Sequence, residues 1–430
     1  MSEIYISDQE ILEEQIESIQ APIQEPMQVS AQPIQVEEPT FKELTSWEDL
    51  DAKVPLLRGI YAYGFENPSP IQKKAILPIF AKRDVIAQAQ SGTGKTACFT
   101  IGALQLIDVN KRSHQVIILS PTRELAIQTK LVIDKIGSMF NKLRTQLLVG
   151  GTSVDEDIKH LHENPPQIVI GCPGRIHDML KRRKLLTRDL RFFVLDEADE
   201  MLSSGFKDQI YNIFQFMPPN IQVALFSATL PPELHQLTSK FMRQPVEILV
   251  KAEQLTLEGI KQYYVALEND DQKYDTLKDI YGSLAISQSI IYCNSNKRVN
   301  DLFQAMQVDN FPACQIHSNM DKAERNQSYE DFKSGKTRVL ISSNVTARGI
   351  DIQQVSTVIN FDVPNCLHTY LHRIGRSGRW GRKGVGINFV TPRDMRTLKD
   401  IEQHYATKIS ELSENWMVWA GCKSEKKIII

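Results

Sequence analysis

The stretch that decides the fold is Phe192–Glu200, which reads Phe-Phe-Val-Leu-Asp-Glu-Ala-Asp-Glu. Its first four residues form a continuous apolar run, which is typical of a strand buried on both faces of a parallel sheet. Asp196, Glu197 and Asp199 follow that run directly. Carboxylates at the end of a buried strand are costly unless they bind a metal ion or meet a partner. The stretch therefore predicts an α/β protein with an acidic site at one edge of its sheet.

A glycine-containing segment upstream predicts the second half of that site. It consists of Ala89, Gln90, Ser91, Gly92, Thr93, Gly94, Lys95 and Thr96. Small residues between a strand and a helix let backbone N–H groups surround phosphates at a helix N-terminus. Lys95 is expected to contact the β- and γ-phosphates, and Thr96 to bind Mg²⁺. Asp196 would hold the same ion through water, and Glu197 would orient and deprotonate the attacking water. The two motifs together predict a nucleoside triphosphatase that uses Mg²⁺.

Alternating strand and helix patterns predict two α/β lobes in tandem, joined by a short linker. The first lobe is predicted over residues 42–250, the linker over 251–259 and the second lobe over 260–420. Strands of the first lobe are predicted at Asp84–Ala87, Gln115–Ser120, Thr145–Val149, Gln167–Gly171, Phe192–Leu195 and Gln222–Phe226. Strands of the second lobe are predicted at Gln262–Ala266, Gln288–Tyr292, Arg338–Ile341, Thr357–Phe361 and Val385–Val390.

The formal net charge of −2 conceals an acidic first segment. Residues 1–41 contain nine acidic residues and no Lys or Arg, so the remainder carries 50 basic and 43 acidic residues, a surplus of +7. We expect this segment to be a disordered tail; the alternative is a short docking helix with Leu12, Ile16 and Ile19 on one face. Residues 421–430 are a second predicted tail. The mildly basic remainder suits a polyanionic partner without requiring one.

The cysteines and the termini bear on the compartment. None of the six cysteines forms a C-x-x-C pair, which argues against a zinc site, and scattered cysteines fit a reducing compartment. Residues 1–20 are acidic and have no secretory pattern, and the sequence contains no run of about 18 apolar residues. We expect a cytoplasmic protein, with the nucleus as the alternative.

The second lobe contains an arginine-rich segment, His372-Arg373-Ile374-Gly375-Arg376-Ser377-Gly378-Arg379. Three arginines spaced by glycines are poor material for a helix or a core. Guanidinium groups that point across a cleft can stabilise the charge on a γ-phosphate. A basic surface loop is the alternative, which the motifs of the first lobe disfavour.

These motifs, in this order over residues 42–410, resemble those of DEAD-box ATP-dependent RNA helicases, in particular the translation initiation factor 4A group. The resemblance implies two RecA-like lobes with ATP and Mg²⁺ in the cleft between them. It also implies sequence-independent binding of RNA across both lobes and local unwinding of short RNA duplexes. A monomer that binds a helical-repeat scaffold protein is the implied assembly.

The resemblance also implies roles for individual residues. At the nucleotide, Gln72 would pair with the adenine edge. Trp47 would stack on the base, with core packing as the alternative, and Asp351 would meet the ribose. Arg376 and Arg379 would act as arginine fingers, and His372 would contact the carboxylates of the first lobe.

Further residues are implied to bind RNA or to couple the lobes. The residues implied to bind the phosphates of RNA are Pro121, Thr122, Arg123, Gly151, Pro173, Gly174, Arg175, Arg325 and Ser343. Ser227 and Thr229 would tie Asp199 to the opposite lobe.

The chain departs from the family pattern at three positions. Asn344 replaces an Asp, Lys322 replaces a Gln and Cys172 replaces a Thr. None of the three is a phosphate-cleaving residue, so we expect them to affect RNA binding or lobe coupling rather than ATP hydrolysis. Asn344 and Lys322 motivate an alternative function, an ATP-dependent RNA clamp in a ribonucleoprotein. A relative that serves ribosomal RNA processing or splicing-linked complexes is another alternative.

Overall fold

The computed structural model describes residues 41–89, 92–203, 205–249, 260–283, 286–346, 355–377 and 384–412. The site residues Gln90, Ser91, Asp351 and Arg379 lie outside these ranges. So do residues 1–40 of the predicted acidic tail, the predicted linker and the predicted C-terminal tail. The predicted bounds of the tails, the lobes and the linker stay predictions.

The first sheet has seven strands, all paired in parallel. They are β1 (Val85–Gln88), β2 (Val116–Leu119), β3 (Thr145–Leu148), β4 (Ile168–Gly171), β5 (Phe192–Asp196), β6 (Gln222–Ser227) and β7 (Val246–Ile248). Their order across the sheet is β3-β4-β2-β5-β6-β1-β7. The strands β1, β5 and β6 are therefore neighbours, which brings the two predicted halves of the nucleotide site to one edge.

Helices lead into and out of these strands. They span Val54–Ala62, Pro70–Phe80, Lys95–Leu106, Arg123–Ile136, Val154–Glu163, Pro173–Lys181, Ala198–Ser203, Lys207–Phe214 and Pro232–Phe241, with 3₁₀ turns at Trp47–Asp49 and Gly137–Met139. Side chains of β5 explain the layering: Phe192 and Val194 pack into one apolar cluster, and Phe193 and Leu195 into another. The sheet thus has a core on each face, which is why its strands are continuously apolar.

The second sheet repeats this topology strand for strand. Its strands are β8 (Ile260–Ala266), β9 (Ser289–Tyr292), β10 (Ala313–Ile316), β11 (Val339–Ser342), β12 (Thr357–Asn360), β13 (Gly384–Val390) and β14 (Ser410–Glu411). The order β10-β11-β9-β12-β13-β8-β14 is that of the first sheet with every number raised by seven. Its helices span Gln272–Ser283, Asn296–Val308, Lys322–Lys333, Leu367–Ile374 and Met395–His404, with a 3₁₀ turn at Asn344–Thr346.

The structure confirms the predicted α/β fold class of two tandem parallel-sheet lobes. Every predicted strand is present with its ends shifted by at most two residues, but β7, β10 and β14 were missed. Two of the three are very short, and β10 (Ala-Cys-Gln-Ile) is an edge strand of low β-propensity, so hydrophobic pattern alone does not reveal them. Within the ranges given above, no helix combines the length and apolar character needed to span a membrane.

Candidate nucleotide site and lobe interface

The phosphate loop is shaped by two glycines. Gly92 and Gly94 have φ of 85° and 101°, in the left-handed region that glycine adopts without cost. Gly94 also caps the helix Lys95–Leu106, and a Cβ there would lie 2.6 Å from Gln72 Nε2 and 2.9 Å from Ser69 Oγ. The loop therefore requires glycine at position 94 both for its backbone and for the close approach of Gln72.

Gln72 holds the loop from the neighbouring helix. Its Oε1 accepts from Ser69 N at 2.8 Å, and its Nε2 donates to Gly94 O at 3.2 Å. The side chain is buried. The structure thus brings Gln72 to the phosphate loop, and its contact with adenine stays a prediction.

Trp47 lies in the core rather than at an open surface. Its side chain is 0% exposed, within the cluster under the helices of the first lobe, and its ring centroid is 6.4 Å from that of Phe65. This is the core position given above as the alternative. Stacking on a base would require the ring to be uncovered, so that role stays a prediction.

Lys95 and Glu197 form a buried ion pair at the carboxyl edge of the sheet. Lys95 Nζ is 3.1 Å from Glu197 Oε1, and the side chains are 5% and 4% exposed. Glu197 has φ of 52°, an unusual backbone conformation for a non-glycine residue, in the turn that follows β5. The phosphate-loop lysine and the carboxylate predicted to activate water are thereby held together.

Asp196 is the buried last residue of β5. Burial and, to a smaller extent, the charge on Glu197 raise the pKa of its carboxyl group to about 7, although Lys95 opposes both. A cation beside Asp196 would reverse this shift because it favours the charged form. Asp196 and the half-buried Thr96 also offer oxygen ligands, the type that Mg²⁺ prefers. These residues therefore fit the predicted magnesium site.

Asp199 connects the two lobes. Its Oδ2 accepts from Thr229 Oγ1 at 2.6 Å, and its backbone N–H donates to Ser227 Oγ at 3.3 Å. His372 Nε2, from the second lobe, lies 3.3 Å from the same Oδ2, and both side chains are almost fully buried. The structure brings together the four residues predicted to couple the lobes, although the coupling itself stays a prediction.

The buried Arg376 lies one turn after His372, and its Nε donates to His372 O at 3.2 Å. Arg373, one of the three arginines that the sequence analysis considered poor material for a helix or a core, is fully buried in the helix Leu367–Ile374, so that expectation is wrong for Arg373. Its guanidinium donates to Asn294, Asn344 and Asn360 side chains and to a backbone carbonyl of Asp362. The spacing of the arginines was the sequence signal for this segment. It did not distinguish Arg373, a buried anchor, from Arg376, a predicted phosphate ligand.

The predicted RNA residues of the first lobe follow β2, β3 and β4 at the same carboxyl edge. Pro121 precedes Thr122, which caps the helix Arg123–Ile136 and accepts from Leu125 N at 3.3 Å. Arg123 Nη1 donates to Gly150 O at 3.3 Å, beside Gly151 with φ of 78°. These groups share one edge, and their contact with RNA stays a prediction.

Three further predicted RNA residues lie at the start of a later helix of the first lobe, and Ser343 lies in the second lobe. Pro173 and Gly174 begin the helix Pro173–Lys181, and Arg175 donates to Thr152 O at 2.9 Å and pairs with Asp157. Ser343 is buried, and its Oγ has no hydrogen-bond partner among the described residues.

Arg325, also predicted to bind RNA, reaches across to the first lobe. Its Nη2 lies 2.7 Å from Glu124 Oε2. The sequence did not indicate this ion pair because its partners are far apart in the chain. The predicted contact of Arg325 with RNA stays a prediction.

Two parallel-sheet lobes, a phosphate loop facing two carboxylates and an arginine-rich helix end across the interface define a two-lobed nucleoside triphosphatase. Comparison with known proteins narrows this class. The model of the DEAD/DEAH box helicase family matches residues 69–237, and that of the helicase conserved C-terminal domain matches residues 272–381. The chain belongs to the DEAD-box family of ATP-dependent RNA helicases, whose members are RNA-stimulated ATPases, and it lies close to initiation factor 4A.

Relatives of both 4A types are similar over most of their length. The chain is 52% identical over 377 residues to eukaryotic initiation factor 4A-III homolog B of Oryza sativa subsp. japonica, covering 88% of this chain and 93% of the relative. It is 52% identical over 381 residues to ATP-dependent RNA helicase eIF4A of Chaetomium globosum, covering 89% and 96%. The solved structure of S. cerevisiae Dbp5 bound to RNA and ADP BeF3 matches with a TM-score of 0.81 at 34% identity, covering 87% of this chain and 97% of that chain. The predicted family, fold and enzyme class are confirmed.

Proposed function

We propose that this protein hydrolyses ATP to ADP and phosphate in response to RNA and separates short RNA duplexes locally. The observation that carries the proposal is that one turn after β5 serves two purposes. Glu197 pairs with Lys95 of the phosphate loop, and Asp199, two residues on, contacts His372 of the other lobe. A change in the nucleotide bound at Lys95 would therefore alter the contact of Asp199 with His372 at the lobe interface.

In this mechanism Lys95 changes partners. Phosphate oxygens compete with Glu197 for the ammonium group, and the released carboxylate is then free to orient and deprotonate the attacking water. Mg²⁺, when bound by Thr96 and through water by Asp196, would neutralise the developing phosphate charge. Arg376 and Arg379 would stabilise the same charge from the second lobe.

RNA would bind across both lobes, on the edge that holds Thr122, Gly151 and Arg175 in the first lobe and near Arg325 and Ser343 in the second. Because ATP and RNA each favour the closed arrangement, each is expected to tighten binding of the other. Contacts to phosphates and 2′-hydroxyl groups predict a preference for RNA over DNA and little sequence preference. Closure that bends one strand would expel its complement.

The first test is the ATPase rate with and without single-stranded RNA, with Glu197→Gln as the control. Turnover that RNA stimulates and that the substitution abolishes is expected, and an assay with a short RNA duplex then tests unwinding. If ATP retains RNA on the protein without turnover, the helicase proposal is wrong.

That second result would support an RNA clamp within a ribonucleoprotein. The observation that favours the clamp is the contact between Asn344 and the buried Arg373. The neutral side-chain amide of Asn344 accepts a hydrogen bond from the Arg373 guanidinium. Its test measures the lifetime of the RNA complex with a non-hydrolysable ATP analogue. A lifetime much longer than one ATPase cycle supports the clamp.

Translation initiation is the cellular role we propose, with cytoplasmic location and a helical-repeat scaffold protein as partner. Relatives named for initiation factors 4A and 4A-III are equally similar, so service in ribosomal RNA processing or splicing-linked complexes in the nucleus is the alternative. A pull-down from translating lysate that recovers no helical-repeat scaffold would count against initiation.

A further inference from the structure

The edge of the first sheet opposite the nucleotide site is strongly basic. In a parallel sheet all strands begin at one edge and end at the opposite edge. Lys95, Glu197 and Thr122 all lie at the edge where the strands end. The segments that lead into the strands are residues 81–84, 107–115, 140–144, 164–167, 182–191, 215–221 and 242–245. Their basic residues, here called the basic edge, are Lys82, Arg83, Lys111, Arg112, Lys142, Arg144, Arg182, Arg183, Lys184, Arg188, Arg191 and Arg243.

Carboxylates do not balance this charge. The same segments contain three acidic residues, Asp84, Asp108 and Asp189, and the first of these is buried. Among the residues that the structure describes, Arg182 is the member of the basic edge that forms an ion pair, with Asp178 at 2.8 Å. Most of the other members are exposed. A surface with this surplus of unpaired positive charge attracts polyanions.

Helix dipoles explain only part of the pattern. Helices that follow the strands end at this edge, and cations in the last turn stabilise their carbonyl ends. Lys135, Lys181 and Lys240 are in such turns. In the basic edge itself, Arg182 is the C-cap residue of the helix Pro173–Lys181, and Arg191 Nη1 donates to Leu106 O at the end of the helix Lys95–Leu106. Stabilisation of helix ends does not account for Arg112, Lys184 or Arg188.

Two exposed apolar side chains lie in the same set of segments. Leu186, between Lys184 and Arg188, is 63% exposed, and Phe216, in another of the same segments, is 39% exposed. Phe216 lies against His177 of the helix Pro173–Lys181, with ring centroids 6.3 Å apart. Cations and an accessible aromatic ring on one surface are the combination with which proteins hold single-stranded nucleic acid.

We propose that the basic edge is a second RNA-binding surface, which holds the RNA that extends beyond the cleft. This rests on the proposed RNA-dependent function and adds a place for flanking nucleotides. The helix Pro173–Lys181 runs from the predicted RNA residue Pro173 to the basic edge, and its nine residues span about 13 Å. Longer RNA can therefore reach both surfaces at once and gain affinity from the second contact.

The test compares RNAs of about 10 and about 40 nucleotides, lengths that respectively match one binding module and exceed it. The variant carries Arg112→Glu, Lys184→Glu and Arg188→Glu, three exposed side chains at the basic edge. Its matched control carries Arg396→Glu, Lys399→Glu and Lys408→Glu, three exposed side chains of the second lobe. Affinity is measured over a range of salt concentrations, and melting of both variants shows that they fold.

We expect the full chain to bind the long RNA more tightly than the short RNA, by more than the larger number of overlapping sites on the long RNA explains. The variant should lose this additional affinity. Its affinity for long RNA should fall by about tenfold or more, and the slope of log affinity against log salt should decrease by about 2 for three lost phosphate contacts. Binding of the short RNA and the ATPase it stimulates should not change. The control should behave as the unmodified protein.

Several outcomes would overturn the proposal. Equal affinity of the unmodified chain for both RNAs, after correction for overlapping sites, would mean that the edge holds no RNA. So would an unchanged long-RNA gain in the variant. If the variant instead loses binding to polyglutamate while RNA binding is unchanged, the edge binds an acidic protein segment. Failure of even the short RNA to stimulate the unmodified ATPase would contradict the proposed function itself and not this surface.

Discussion

Arg325 of the second lobe and Glu124 of the first form an ion pair across the lobe interface, with Nη2 2.7 Å from Oε2. It joins the helix Lys322–Lys333 to the helix Arg123–Ile136. Both side chains are mostly buried, so removal of one partner leaves the other charge partly desolvated and uncompensated. The pair exists only when the lobes are together and is therefore expected to favour the closed arrangement.

Arg325→Gln should weaken the coupling between ATP and RNA. We expect a non-hydrolysable ATP analogue to tighten RNA binding about fivefold less than in the unmodified protein, at the low end of typical coupling energies. The measurement is RNA affinity with and without the analogue. Glu124→Gln should cause a similar loss, and the double variant should be no worse than either single one. Additive losses would mean that Arg325 acts on RNA independently of Glu124.

Gly94→Ala should abolish tight ATP binding. The added Cβ would approach Gln72 Nε2 to 2.6 Å and would displace the side chain that holds the phosphate loop. Gly64 provides a matched control because its φ of 94° is similar, yet a Cβ there would have nothing within 4 Å. Gly64→Ala should cost only the backbone strain, about 1–2 kcal/mol of folding stability. Nucleotide affinity by calorimetry should fall more than tenfold in Gly94→Ala alone; equal effects would show that strain, not contact with Gln72, matters.

The parts of this molecule that could be predicted from sequence are those whose cause is local. Continuous apolar strands indicate two-faced burial wherever they occur, and the phosphate loop and Asp196-Glu197 each lie within one turn of a strand end. The pairing of Arg325 with Glu124 and the burial of Trp47 depend on how distant segments pack. No local pattern encodes them, and the same holds for the matching strand order of the two sheets, which sequence identity does not reveal.

The raised pKa of Asp196 predicts a pH-dependent stability. A carboxyl group with a pKa of about 7 in the folded chain and near 3.9 in the unfolded chain favours folding most below the lower value, and this contribution is lost as pH rises toward 7. Chemical unfolding from pH 4 to pH 8 should therefore show the unmodified protein losing stability relative to Asp196→Asn. The exposed Asp208→Asn provides the control and should show no such trend. Mg²⁺ with ADP should shrink the difference, since a cation favours the charged form. A difference that stays constant with pH would contradict the argument.

Arg373 is a buried guanidinium whose hydrogen-bond acceptors are all uncharged. Its Nε and Nη2 share Asn344 Oδ1 at 2.9 and 2.6 Å. The nearby carboxylate of Asp362 is already bound to Lys273 at 3.1 Å and to Arg298 at 3.0 Å. Burial accordingly lowers the pKa of Arg373 to about 10. The helix that presents His372 to Asp199 is thus anchored by a charge without a carboxylate of its own.

Asn344→Asp should stabilise this anchor, because it places a carboxylate of nearly the same shape on two donors already in position. Hydrogen bonds to charged groups contribute about 1.5–3 kcal/mol against about 1 for neutral ones, and desolvation of the new carboxylate offsets part of the difference. We expect a gain of about 1 kcal/mol at pH 7, measured by chemical unfolding. The gain should disappear below about pH 4, where the carboxylate takes up a proton. Asn141→Asp, at an exposed position outside the helices, should leave stability unchanged. If His372 is positioned through Arg373, Asn344→Asp should also raise RNA-stimulated turnover, whereas a gain in stability with unchanged turnover would show that the anchor serves the fold alone.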